Sequence, residues 1–129
     1  MQLRIVEALA SLIILLASPN LWAAPTEHPL RKGESFLDAR AALLNAGWLP
    51  VRIDKRMADG TRENQFGDGR LFFNAGFIEV QECTGTGTNP CILNYQKDGM
   101  CLRLVTEGEY LPERGSIPDV LFWSDDCPG

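Results

Sequence analysis

Residues 91–106 read CILNYQKDGMCLRLVT. Two alternating apolar runs flank Asp98-Gly99, the pair that best suits a two-residue type I′ hairpin turn. With that turn fixed, Lys97 faces Met100, Gln96 faces Cys101, Tyr95 faces Leu102, Leu93 faces Leu104 and Cys91 faces Thr106. Side chains alternate between the faces of a strand. Leu93, Tyr95, Leu102 and Leu104 therefore share one face, which is the expected core. Cys101 falls on the other face with Asn94, Gln96, Arg103 and Val105.

The same register constrains the four cysteines. Cys91 and Cys101 point to opposite faces and should not pair. Cys83 and Cys91 flank the turn-rich segment TGTGTNP (residues 84–90) and can approach across it. Cys101 is then left for Cys127. Four cysteines allow three connectivities, and the register favours Cys83–Cys91 with Cys101–Cys127. No C-x-x-C is present, which argues against a zinc site or a thioredoxin-like redox site.

Working outward, residues 77–83 read as a strand with Ile78 and Val80 on one face. Val120-Leu121-Phe122-Trp123 reads as a last strand that ends near Cys127. On the N-terminal side, Ser35 is placed to cap a helix with Asp38 at a capping-box spacing. Phe36, Leu37, Leu43 and Leu44 with Ala39, Ala41 and Ala42 form its apolar stripe. Gly47 is positioned to end it in the left-handed conformation. Arg31, Lys32 and Arg40 read as solvated or snorkelling charges. Leu49, Val51 and Ile53 alternate as a short strand. Residues 54–70 show no helical period and read as a long loop, with mobility as an option, followed by a brief apolar patch at residues 71–74 that suits a helical turn. The expected class is α+β: one N-terminal helix on an antiparallel sheet of about four strands, stapled by disulfides.

Residues 1–23 read as a secretory signal peptide, with Arg4 ahead of the apolar run ALASLIILLA at residues 8–17. That run falls short of the roughly 20 apolar residues that span a bilayer. Removing it leaves residues 24–129 as a single small domain, in a compartment where disulfides persist. A periplasmic or secreted location follows, with no membrane span after cleavage; an uncleaved membrane anchor is the alternative.

The 129-residue chain carries 12 basic and 17 acidic side chains, a net charge of −5. That balance argues against nucleic acid, whose phosphates call for clustered Lys and Arg. The charge is uneven. Residues 25–75 hold eight basic and seven acidic side chains, whereas residues 76–129 hold three and nine. The acidic half suits solubility or a face for a basic partner.

Two blocks carry a resemblance. Gly33 to Pro50 (GESFLDARAALLNAGWLP) is similar to a Gly-x-Ser…Ala-Arg-x-x-Leu…Gly-Trp-x-Pro pattern of small uncharacterised exported proteins of Gram-negative bacteria. Glu79 to Cys91 (EVQECTGTGTNPC), continued by residues 99–109, is similar to a second block of the same proteins. The resemblance implies export and no assigned activity. The helix start is more distantly similar to PASTA and small outer-membrane-assembly lipoprotein modules, which implies a binding module with helices on a small sheet. With Cys83 the first cysteine, no lipid-attachment site lies near the export boundary.

No catalytic constellation stands out. His28 is the one histidine and lies in a linker between Glu27 and Pro29. Ser35 is not in a G-x-S-x-G elbow. The Gly85-Thr86-Gly87-Thr88 loop lacks a P-loop ending, and it lies between strands with no helix N-terminus to hold an anion. No cofactor or metal is implied. The expected function is a non-catalytic exported binding module of the bacterial envelope, in its most concrete form an inhibitor or immunity protein against a cationic enzyme such as a lysozyme. Its candidate contact residues are Trp48, Glu107, Glu109, Trp123, Asp125 and Asp126. Trp48 and Trp123 read first as core or half-buried residues, with an exposed anchor as the alternative. The alternatives from other classes are a small hydrolase of envelope polymers working through carboxylates, and a structural envelope component.

Overall fold

The computed structural model describes residues 28–129; the segment expected to be a signal peptide lies outside them. The order of elements is α1 (Phe36–Asn45), β1 (Leu49–Pro50), α2 (Gly67–Asn74), β2 (Val80–Cys83), β3 (Cys91–Lys97), β4 (Met100–Glu107) and β5 (Asp119–Ser124). Single 3-10 turns occur at Glu63–Gln65 and Pro112–Arg114. The class is α+β, with two helices and a five-stranded antiparallel sheet in place of one helix and about four strands. The sheet runs β1-β3-β4-β5, and β2 shares the β3 edge with β1.

The β3–β4 hairpin has the register that its turn dictates, from Lys97 opposite Met100 to Cys91 opposite Thr106. Asp98 (φ 49°) and Gly99 (φ 76°) both adopt the left-handed conformation that a type I′ turn requires. Leu93, Tyr95, Leu102 and Leu104 are buried on one face, against Phe36, Ala39 and Leu43 of α1 and Phe72 of α2. Phe72 stacks on Tyr110 with centroids 4.4 Å apart and meets Phe36 edge-on at 5.2 Å. Cys83 is bonded to Cys91, and Cys101 to Cys127.

Several local expectations are corrected. The Ser35 side chain makes no capping bond. Ser35 instead forms an isolated bridge with Asp119, and Phe36 N donates to Pro118 O at 2.8 Å. The start of β5 thus satisfies the helix terminus that a cap would have satisfied. The strand expected over residues 49–53 has only two residues, although Val51 N still donates to Asn94 O. Pro50 offers no N–H to extend it, and β2 occupies the other end of the same edge.

The stretch at residues 54–70 is folded rather than a long loop. Arg62 reaches Asp54 at 2.7 Å, Arg56 bridges Arg62 through the backbone, and α2 begins at Gly67. Ile78 is exposed while Val80 is buried, because β2 starts only at Val80 and its register shifts between Val80 and Glu82.

Candidate functional site

The outer face of the sheet, opposite α1, carries a cross-strand row. Glu82 of β2 lies opposite Ile92 of β3, Ile92 opposite Val105 of β4, and Val105 opposite Phe122 of β5. Phe122 is 42% exposed, whereas Ile92 is half-buried and Val105 is buried. Two residues along β4, Glu107 lies directly opposite Asp119. Like charges in that position repel. None of the ion pairs among the described residues engages Glu82, Glu107 or Asp119. The basic side chains that do pair are His28, Arg40, Lys55, Arg56 and Arg62, all from the N-terminal half. The acidic imbalance is thus left open on the sheet, beside an apolar row.

A bulge makes this face. The pairing of β4 with β5 shifts between Val105 and Thr106, so that Leu121 has no partner of its own. The extra residue resets the alternation along β5. Trp123 pairs with Leu104 and packs against the core, while Phe122 turns outward.

The six residues singled out from the sequence separate accordingly. Trp48 is 1% exposed, which agrees with its first reading as a core residue and overturns the alternative of an exposed anchor. Its backbone N donates to Leu43 O at the end of α1, and its ring belongs to the core. Trp123 is half-buried on the core side. Glu107 belongs to the acidic pair. Asp125 and Asp126 are exposed near the C-terminus, and Asp125 accepts from His28 Nε2 at 2.7 Å. His28, expected in a linker, is therefore held, with its ring 5.2 Å from that of Trp48.

Glu109 lines a cleft of about 340 Å³ with Asp68, Gly67, Gly85, Gly87 and Thr88. The N-terminus of α2 stands beside the Gly-Thr loop here, contrary to expectation. The group it presents is a carboxylate, which would repel an anion. Asp68 Oδ2 accepts from Asn89 Nδ2 (2.7 Å) and Tyr110 N (3.0 Å). It thereby ties α2 to the Cys83–Cys91 loop and to the chain after β4.

Sequence reasoning missed one buried cluster. Glu79 is fully buried and takes Arg40 Nε at 2.5 Å and Tyr95 Oη at 2.8 Å on the same oxygen. Arg40, read as a solvated or snorkelling charge, is instead a buried ion's partner, and its guanidinium lies 4.9 Å from the Phe77 ring centroid. Burial first, and then the Glu79 carboxylate, raise the Tyr95 phenol well above its ordinary value.

Among the described residues no group of three or more His, Cys, Asp or Glu could hold a metal ion, and no helix is long and apolar enough to cross a membrane. No protein-family model, curated protein or solved structure matches the chain.

Proposed function

We propose that this is an exported, non-catalytic binding module of the bacterial envelope, and that it docks a basic protein on the outer face of its sheet. The observation that carries this reading is exposed Phe122, at the end of a row in which Val105 is buried and Ile92 half-buried, beside the unpaired carboxylates of Glu107 and Asp119. An apolar centre with a charged rim is the usual anatomy of a protein interface. The carboxylates would steer a cationic partner and set its orientation, and Phe122 would supply the central contact. Inhibition of, or immunity against, a cationic enzyme of the lysozyme type is the most concrete form.

The two disulfides support a periplasmic or secreted setting, since such bonds persist in oxidising compartments. The hydrolase reading has less support. Asp68 is engaged by two donors in the cleft it shares with Glu109. Affinity capture from periplasmic extract at low salt tests the proposal. The unmodified protein should retain basic proteins that Phe122→Ala and Glu107→Gln/Asp119→Asn do not. Equal retention by all three would refute it.

A further inference from the structure

The two disulfides differ in what surrounds their sulfurs. Cys91 is fully buried in the core, and Cys83 is half-buried at the end of β2. Cys127, by contrast, is exposed, and Cys101 is half-buried. Both line a cleft of about 320 Å³ together with His28, Trp48, Gly99 and Asp125. Access helps decide which disulfide sulfur a thiolate attacks. A thiolate arriving from solvent meets Cys127.

The rate of exchange also depends on the thiol that leaves. Attack on Cys127 releases the Cys101 thiolate beside the cleft. Arg103 lies two residues along β4 on the same face, and its Nη2 reaches Cys127 O at 3.5 Å. Arg103 belongs to none of the ion pairs among the described residues. A guanidinium in that position favours a thiolate. Attack on Cys83 would instead release Cys91 into the core, where apolar surroundings disfavour the charge.

We propose that Cys101–Cys127 is a site of thiol–disulfide exchange opened by a dithiol reductant, while Cys83–Cys91 stays closed. One thiolate of the reductant attacks Cys127 Sγ, and the S–S bond breaks with its electron pair leaving on Cys101. The second thiolate of the reductant attacks its own sulfur in the mixed disulfide and releases Cys127. Two electrons and two protons thus pass to the protein's sulfurs, and the reductant becomes a disulfide. Beyond Ser124 the chain makes no backbone–backbone hydrogen bond among the described residues. Once the bond opens, the His28 contact to Asp125 and the long Arg103 contact are what hold residues 125–129 to the rest of the fold. Trp48, which shares the cleft and is 1% exposed, then becomes accessible. The inference does not rest on the docking reading.

Stepwise reduction of the folded, oxidised protein by dithiothreitol, followed by alkylation and peptide mass mapping, tests it. Cys101 and Cys127 should become alkylated about tenfold faster than Cys83 and Cys91, or more. Opening of this first bond should preserve the far-UV circular dichroism and raise the quenching of tryptophan fluorescence by acrylamide. That rise should persist in Trp123→Phe, which leaves Trp48 to report it. Arg103→Met should slow the opening several-fold, and Arg103→Lys, which keeps the charge, should restore it. Simultaneous reduction of both bonds, earlier opening of Cys83–Cys91, unchanged quenching, or loss of the circular dichroism with the first bond would overturn the inference.

Discussion

Tyr95 Oη donates a 2.8 Å hydrogen bond to Glu79 Oε1 inside the core, on the same oxygen that takes the Arg40 guanidinium. A buried carboxylate survives only when it is paired and hydrogen-bonded. The three residues come from α1, the approach to β2, and β3, so the cluster joins the helix to the sheet through charge as well as packing.

Removing the cation should therefore cost more than removing the phenol. Arg40→Ala leaves a buried carboxylate unpaired and should destabilise by about 3–5 kcal/mol. Tyr95→Phe removes one bond to a charged acceptor and should cost about 1.5–3 kcal/mol. Urea unfolding measures both. A loss below about 1 kcal/mol for Arg40→Ala would show that Glu79 is not held as an ion.

The same contact sets an alkaline limit. The phenol of Tyr95 has a raised native value, so the folded state holds its proton more tightly than the unfolded chain. That contribution is complete below the unfolded value of about 10. It is lost as pH rises through the higher native value. Thermal unfolding should show stability falling above about pH 10, and Tyr95→Phe should flatten this slope. Normal titration of both tyrosines by tyrosinate absorbance would contradict it.

The disulfides differ in the length of chain they close, with sequence separations of 8 and 26. In the loop-entropy account the shorter contributes about 2.5 kcal/mol and the longer about 3.5 kcal/mol. Replacing Cys101 and Cys127 together with Ser should destabilise by about 1 kcal/mol more than replacing Cys83 and Cys91. Non-reducing peptide mapping should recover Cys83–Cys91 and Cys101–Cys127 linked peptides and no other pairs.

The two glycines that open α2 should respond oppositely to alanine. A Cβ on Gly69 would lie 3.5 Å from Asn64 Cα, an ordinary contact, and its φ is not positive. Gly69→Ala should gain up to about 1 kcal/mol from helix propensity. Gly67 has φ 52°, where any other residue is strained. Gly67→Ala should lose about 1 kcal/mol. Paired melting curves decide the signs.

What the sequence disclosed follows from local rules. The Asp98-Gly99 turn fixes the hairpin register, and register fixes both the core face and the exclusion of a Cys91–Cys101 bridge. What it concealed depends on long-range partners. The outward turn of Phe122 needs the bulge at Leu121, which only the pairing with β4 reveals. Residues 67–70 belong to the stretch that shows no helical period, yet Phe72 anchors α2 in the core. Glu79 and Arg40 are 39 residues apart, and no local pattern marks them as partners.

Docking of a cationic protein on the sheet face would run through Glu107, Asp119 and Phe122. Isothermal titration of the oxidised protein against a basic lysozyme over a range of salt concentrations measures it. A complex should form whose affinity falls steadily with salt. The salt dependence should be shallower in Glu107→Gln/Asp119→Asn, and Phe122→Ala should weaken binding at every salt concentration. No complex at low salt, or an affinity indifferent to salt and to these substitutions, would contradict it.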